Sequence, residues 1–118
     1  MQLEITNSAE LQAATQALCL LLEEYAVPRE KAFDCRLIVN ELVGNVLRHS
    51  QASATLTVAV RGRQITLCVR SAQAFFPPLE SVCPPDTAEH GRGLFLVDSV
   101  SRSRTVSSDG EIQVIVEY

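Results

Sequence analysis

Residues 40–50 read "NELVGNVLRHS". Each residue of a helix turns the next side chain by about 100°. With Glu41 set at zero, Asn45 falls near about +40°, Arg48 near about −20° and His49 near about +80°. Cys35, Ile38, Val39, Leu42 and Val46 gather between about +60° and +200°, the side a soluble helix turns to its core. Glu41 and Asn45 therefore flank the apolar stripe and look along the edge of the domain. Two readings of that edge are open. One is a polar boundary, with Arg48 and His49 offsetting the negative end of the helix. The other is a binding site.

The surrounding chain says what this helix packs on. Upstream, Val27-Pro28 breaks the helical pattern, and Pro28 suits the first turn of the helix that continues to about His49. Residues 8–25 before it place Leu11, Ala14, Leu18, Leu21 and Leu22 on one face. Asn7 and Glu10 have the spacing of a capping box at its start. Residues 2–6, "QLEIT", alternate as a short strand. Downstream, "ATLTVAV" (54–60) and "ITLCVR" (65–70) read as two strands joined at "RGRQ". Residues 72–90 lose all periodicity. They hold "FFPP" and "CPPD", pairs that no helix interior or central strand tolerates. "GRGLFLVDSV" (91–100) resumes as a glycine-opened helix, and "RTVSSDGEIQVIVEY" (104–118) reads as two strands around a turn.

The order β-α-α-β-β-loop-α-β-β predicts an α+β fold. It is a two-layer sandwich, with a mixed, mostly antiparallel sheet covered by helices on one face. Neither repeat nor linker interrupts it, so residues 1–118 read as one domain. At 118 residues and 47% hydrophobic, the chain can bury a core without disulfide staples. A net charge of −4 excludes the broad basic field that nucleic acid or acidic lipid requires. Cys19, Cys35, Cys68 and Cys83 have neither CxxC nor metal-ligand spacing. The first three lie in apolar stretches and read as small core residues of a reducing compartment; Cys83 falls in the proline-rich loop, where a reactive thiol is the alternative. No segment approaches the roughly 20 apolar residues of a membrane span. The N-terminus lacks a basic export region, so the cytoplasm is the expected location.

A second feature answers the first. "EHGRGLFLV" (89–97) places Gly91 and Gly93 directly ahead of an apolar helix. Glycines let backbone approach a ligand closely, and a helix N-terminus offers free N–H groups to phosphate. A tight entry turn in which glycine only relieves strain is the alternative. In this order, ExxxN on a helix, two strands, a long loop and GxGL opening a helix, the chain resembles the GHKL ATPase superfamily across residues 1–118. Among its members, "ELVGNVLRHS" and the short length look most like the anti-sigma-factor serine/threonine kinases.

The resemblance implies roles. Asn45 would hold the Mg²⁺ that bridges the nucleotide phosphates, and Glu41 would be the general base. Gly91, Arg92, Gly93 and Leu94 would form the phosphate-binding G2 box, with residues 75–90 as the ATP lid. The family's G1 box, DxGxG, carries an aspartate that bonds the adenine amino group. Here "LCVRSAQAFFPP" (67–78) puts Ser71 at the aspartate position and Gln73 at the glycine position. Two functions follow. One is a kinase that binds Mg-ATP, sequesters a sigma factor and phosphorylates a serine on a STAS-domain antagonist, with homodimers common among such proteins. The other is a regulator of the same fold that binds partners without nucleotide. Neither contacts nucleic acid directly.

Overall fold

The computed structural model describes residues 1–50, 53–72, 92–107 and 110–118, apart from the side chains of 49–50 and 92–95. In chain order the elements are β1 (Gln2–Ile5), α1 (Ser8–Glu24), α2 (Arg29–Asn45), a π turn (Val46–Ser50), β2 (Ala54–Arg61), β3 (Gln64–Ser71), α3 (Arg92–Val100), β4 (Ser103–Val106) and β5 (Ile112–Glu117). The strands form one sheet in the order β1-β2-β3-β5-β4. The expectation of a mixed sheet is narrowed: all four described pairings are antiparallel. The chain leaves β3 and returns through the edge strand β4. β5 then turns back and inserts between β4 and β3.

Alternation within the strands makes one face of the sheet apolar. Leu3, Leu56, Val69, Ile112 and Val106 stand in one row across all five strands, and Val58, Leu67 and Val114 in the next. Thr57, Ala59, Gln113 and Glu117 point the other way and are exposed. α2 packs over β3 and β5, α1 lies beside α2 near β1, and α3 also rests on α2. Leu18, Leu22, Ile38 and Leu42 are fully buried in this layer. Each such side chain contributes about 1.5–3 kcal/mol by leaving water. The core face expected for α2 is therefore the observed one, and Val43 extends it.

The ends of α1 explain its length. Asn7 Oδ1 accepts from the Glu10 N–H at 2.8 Å. Glu10 reaches back to the N–H of Thr6 at 2.7 Å, and also to the Thr6 hydroxyl. The capping box thus closes on Thr6, one residue earlier than expected. At the other end Val27 N–H donates to Leu22 and Ala26 N–H to Glu23, both at 3.0 Å. This Schellman pattern needs a left-handed residue, and Ala26 supplies it at φ 55°. Pro28 then caps α2 from just outside it, rather than from within the first turn as expected.

Cys35 is buried as expected, and burial pushes its thiol up to about 12. Cys19 and Cys68 are only partly buried, at the margins of the core. Cys83 lies outside the described residues. Among the described residues, no helix is long and apolar enough to cross a membrane.

Candidate functional site

The helix holding residues 40–50 does not run as a regular α-helix to His49. It changes at Asn45 into a π turn over Val46–Ser50. π turns widen the helix locally and recur at functional sites. Sequence periodicity misses this change, because the apolar spacing up to Val46 fits a regular helix equally well.

Asn45 is the last residue of α2, and only 7% of its surface is exposed. A buried amide needs partners. Its Oδ1 accepts from Arg48 Nη2 at 2.7 Å. The guanidinium lies over Gly44, where a β-carbon would stand 3.1 Å from Arg48 Nη1. Gly44 therefore leaves the space that this contact uses. Glu41 stands one turn earlier on the same edge and is half-buried. Beside its place near the helix end, Arg48 thus makes a specific contact. The signal was present in the sequence as three-residue spacing, at which helical side chains meet.

The topology places the other described candidates. The π turn ends four residues before β2, and Ala54 at the start of β2 pairs with Ser71 at the end of β3. Ser71 is half-buried. Ser99, Val100, Ser101 and Arg102, at and just beyond the end of α3, line a cleft with Glu30, Lys31 and Asp34 at the start of α2. α3 thus packs on α2 with its C-terminal end beside the start of α2, and its first turn lies at the other end of α3. That first turn holds Arg92, Gly93 and Leu94. Gly91, Gln73 and the expected lid over 75–90 lie outside the described residues, as does the side chain of His49.

Arg104 fixes α3 from below. It stands opposite Val114 on the helix-covered face of the sheet. Its guanidinium makes two bonds to Asp98 of α3, Nε to Oδ1 at 2.7 Å and Nη2 to Oδ2 at 3.1 Å. Neither residue stood out in the sequence. A separate groove of about 570 Å³ between α1 and α2 is lined by Cys19, Glu23, Phe33 and Arg36, among others, and includes no candidate residue.

The model of the histidine kinase-like ATPase domain matches residues 5–116, nearly the whole chain. This chain belongs to the histidine kinase-like ATPase family. ATP binding is the general property of that domain. No curated protein matches the chain.

The residues present fit a hard divalent cation. Mg²⁺ takes oxygen ligands and is often held by one or two protein groups together with substrate phosphates. Asn45 offers a buried amide oxygen that already holds a cationic group, and the Glu41 carboxylate is one turn away. Among the described residues, no cluster of three or more His, Cys, Asp or Glu forms an all-protein metal cage. A site completed by phosphates does not require one.

Proposed function

We propose that this protein is a Mg-ATP-binding regulator of the anti-sigma-factor kinase type. It would sequester a sigma factor and transfer the γ-phosphoryl group to a serine of a STAS-type antagonist. The observation that carries this reading is the buried amide of Asn45 at the end of α2, one turn from Glu41. Asn45 would hold Mg²⁺, which screens phosphate charge when bound. Glu41 would accept the proton of the attacking serine hydroxyl. The N–H groups at the start of α3 would receive phosphate oxygens. A phosphoserine carries nearly two negative charges, enough to change which partner the antagonist prefers.

Ser71 supports a second reading, a partner-binding module of this fold without nucleotide chemistry. Losing a charge-assisted bond to adenine costs about 1.5–3 kcal/mol, or roughly ten- to a hundredfold in affinity. Calorimetric titration with Mg-ATP and Mg-ADP separates the two readings. The kinase reading expects micromolar binding that Asn45→Ala abolishes and Glu41→Gln retains, with Glu41→Gln losing turnover. Absence of heat up to millimolar nucleotide would leave the partner-binding module.

A further inference from the structure

The oxygen assigned to Mg²⁺ is held by a side chain of the same helix. Asn45 Oδ1 receives Arg48 Nη2 at 2.7 Å, and Asn45 is buried while Arg48 is exposed. The arrangement is thus asymmetric. The acceptor is fixed in the wall of the domain, and the donor is a long side chain with freedom to leave. The Arg48 atoms Nη1, Cζ and Nη2 lie 3.1, 3.7 and 3.8 Å from the β-carbon position of Gly44, so a methyl group there would crowd the guanidinium itself. Guanidinium and Mg²⁺ are both cations drawn to the same amide oxygen; its second lone pair stays open, but two positive charges on one oxygen repel, so each weakens the other.

We propose that Arg48 is a displaceable internal cation that competes with the divalent metal for Asn45. The inference deepens the nucleotide-binding reading, on which it rests for the identity of the metal. Its physical content is simple. A site whose competent form is only a fraction of the population shows an apparent affinity reduced by that fraction. While Arg48 occupies Oδ1 the metal is held weakly, and the fully competent form is the fraction in which the guanidinium has swung away. Arg48 thereby sets the metal concentration at which the site fills. It is a positioning residue, acting through Asn45, and it adds no ligand of its own.

Arg48→Met removes the contact, and Gly44→Ala strains it by a different route. Arg48→Met deletes the donors and keeps much of the side-chain length. Gly44→Ala keeps the arginine and its charge but places a methyl group against Nη1. Mn²⁺ is the probe, because it prefers the same oxygen ligands as Mg²⁺ and broadens nearby NMR signals. Mn²⁺ is titrated as its inorganic triphosphate complex, whose phosphate oxygens complete the site without an adenine, and broadening of the Asn45 side-chain amide is followed. The expected result is half-broadening at about tenfold less Mn²⁺ in Arg48→Met than in the wild type, the scale of one charge-assisted bond at an exposed site, with a smaller shift in the same direction in Gly44→Ala, whose methyl group displaces the guanidinium without removing it.

Equal midpoints in all three proteins would overturn the proposal. So would a shift in Arg48→Met alone, which would mark a general charge effect. A higher midpoint in either variant would assign Arg48 to supporting the site instead. Titration of the same three proteins with ATP in the presence of Mg²⁺ tests the underlying reading separately. If none binds ATP, nucleotide binding fails, while the Mn²⁺ midpoints still decide whether Arg48 blocks Asn45.

Discussion

Asp98 and Arg104 clasp each other with two hydrogen bonds, joining α3 to the edge strand β4. The Arg104 side chain is only 3% exposed and that of Asp98 is 32% exposed. The pair is therefore tied to the core at one end and wetted at the other. An inward-pointing charge on a short edge strand also discourages pairing with another sheet. Asp98→Ala leaves a nearly buried guanidinium without these bonds. The expected loss is about 2 kcal/mol, below the full value for a buried pair because water reaches Asp98. Urea unfolding measures it. Since α3 carries Arg92 and Gly93, weaker nucleotide binding should accompany the loss, while Arg104→Met, which removes the buried charge as well, should be the milder change.

Ala26 occupies the left-handed position that ends α1, at φ 55°. A β-carbon makes that conformation cost about 1–2 kcal/mol. Glycine removes the clash but gives the unfolded chain more freedom, which takes back about 0.4–1 kcal/mol. Ala26→Gly should therefore stabilise the protein by roughly 0.5–1 kcal/mol. A thermal melt showing no gain, or a loss, would mean that the Schellman turn is not held in solution.

Glu10 accepts from the hydroxyl and the backbone N–H of Thr6, and those bonds hold its carboxyl below the usual value. A depressed folded pKa means that the carboxylate stabilises the fold at pH values above the ordinary glutamate range. That contribution fades as pH falls through the lowered folded pKa. Glu10→Gln should accordingly be less stable than wild type at pH 6, and the gap should close on acidification below about pH 4. Melting temperatures of both proteins from pH 7 to pH 3 test this. A constant gap would show that the effect comes from the amide rather than the charge.

Much of this architecture was legible in the sequence because its signals are local. Asn7 and Glu10 mark the start of α1, and Val27-Pro28 separates the helices. The alternation of Leu56, Val58, Ile65 and Leu67 sets both strand faces. What was not legible depends on pairs distant in sequence or on small geometric changes. Nothing local marks Arg104, since only the pairing of β4 with β5 turns it inward. Asn45 is legible as a candidate through motif order; the arginine upon it leaves only its three-residue spacing, which does not say that the two side chains meet. Periodicity gives the direction of a side chain, and it does not reveal the π turn that follows.

Ser71 offers the sharpest test of which base the proposed nucleotide site recognises. It ends β3 opposite Ala54, at the position where the GHKL resemblance expects an aspartate for the adenine amino group. A serine hydroxyl can accept from the adenine amino group or donate to the guanine carbonyl. The wild-type protein should therefore discriminate weakly between ATP and GTP. An ionised aspartate can only accept, so it rewards adenine and repels the guanine carbonyl. Ser71→Asp should raise the preference for ATP over GTP by about tenfold, the scale of one charge-assisted hydrogen bond. Competitive displacement of a fluorescent nucleotide by each triphosphate measures the ratio directly. An unchanged ratio, with ATP still bound, would place the base away from the end of β3 and remove Ser71 from the site.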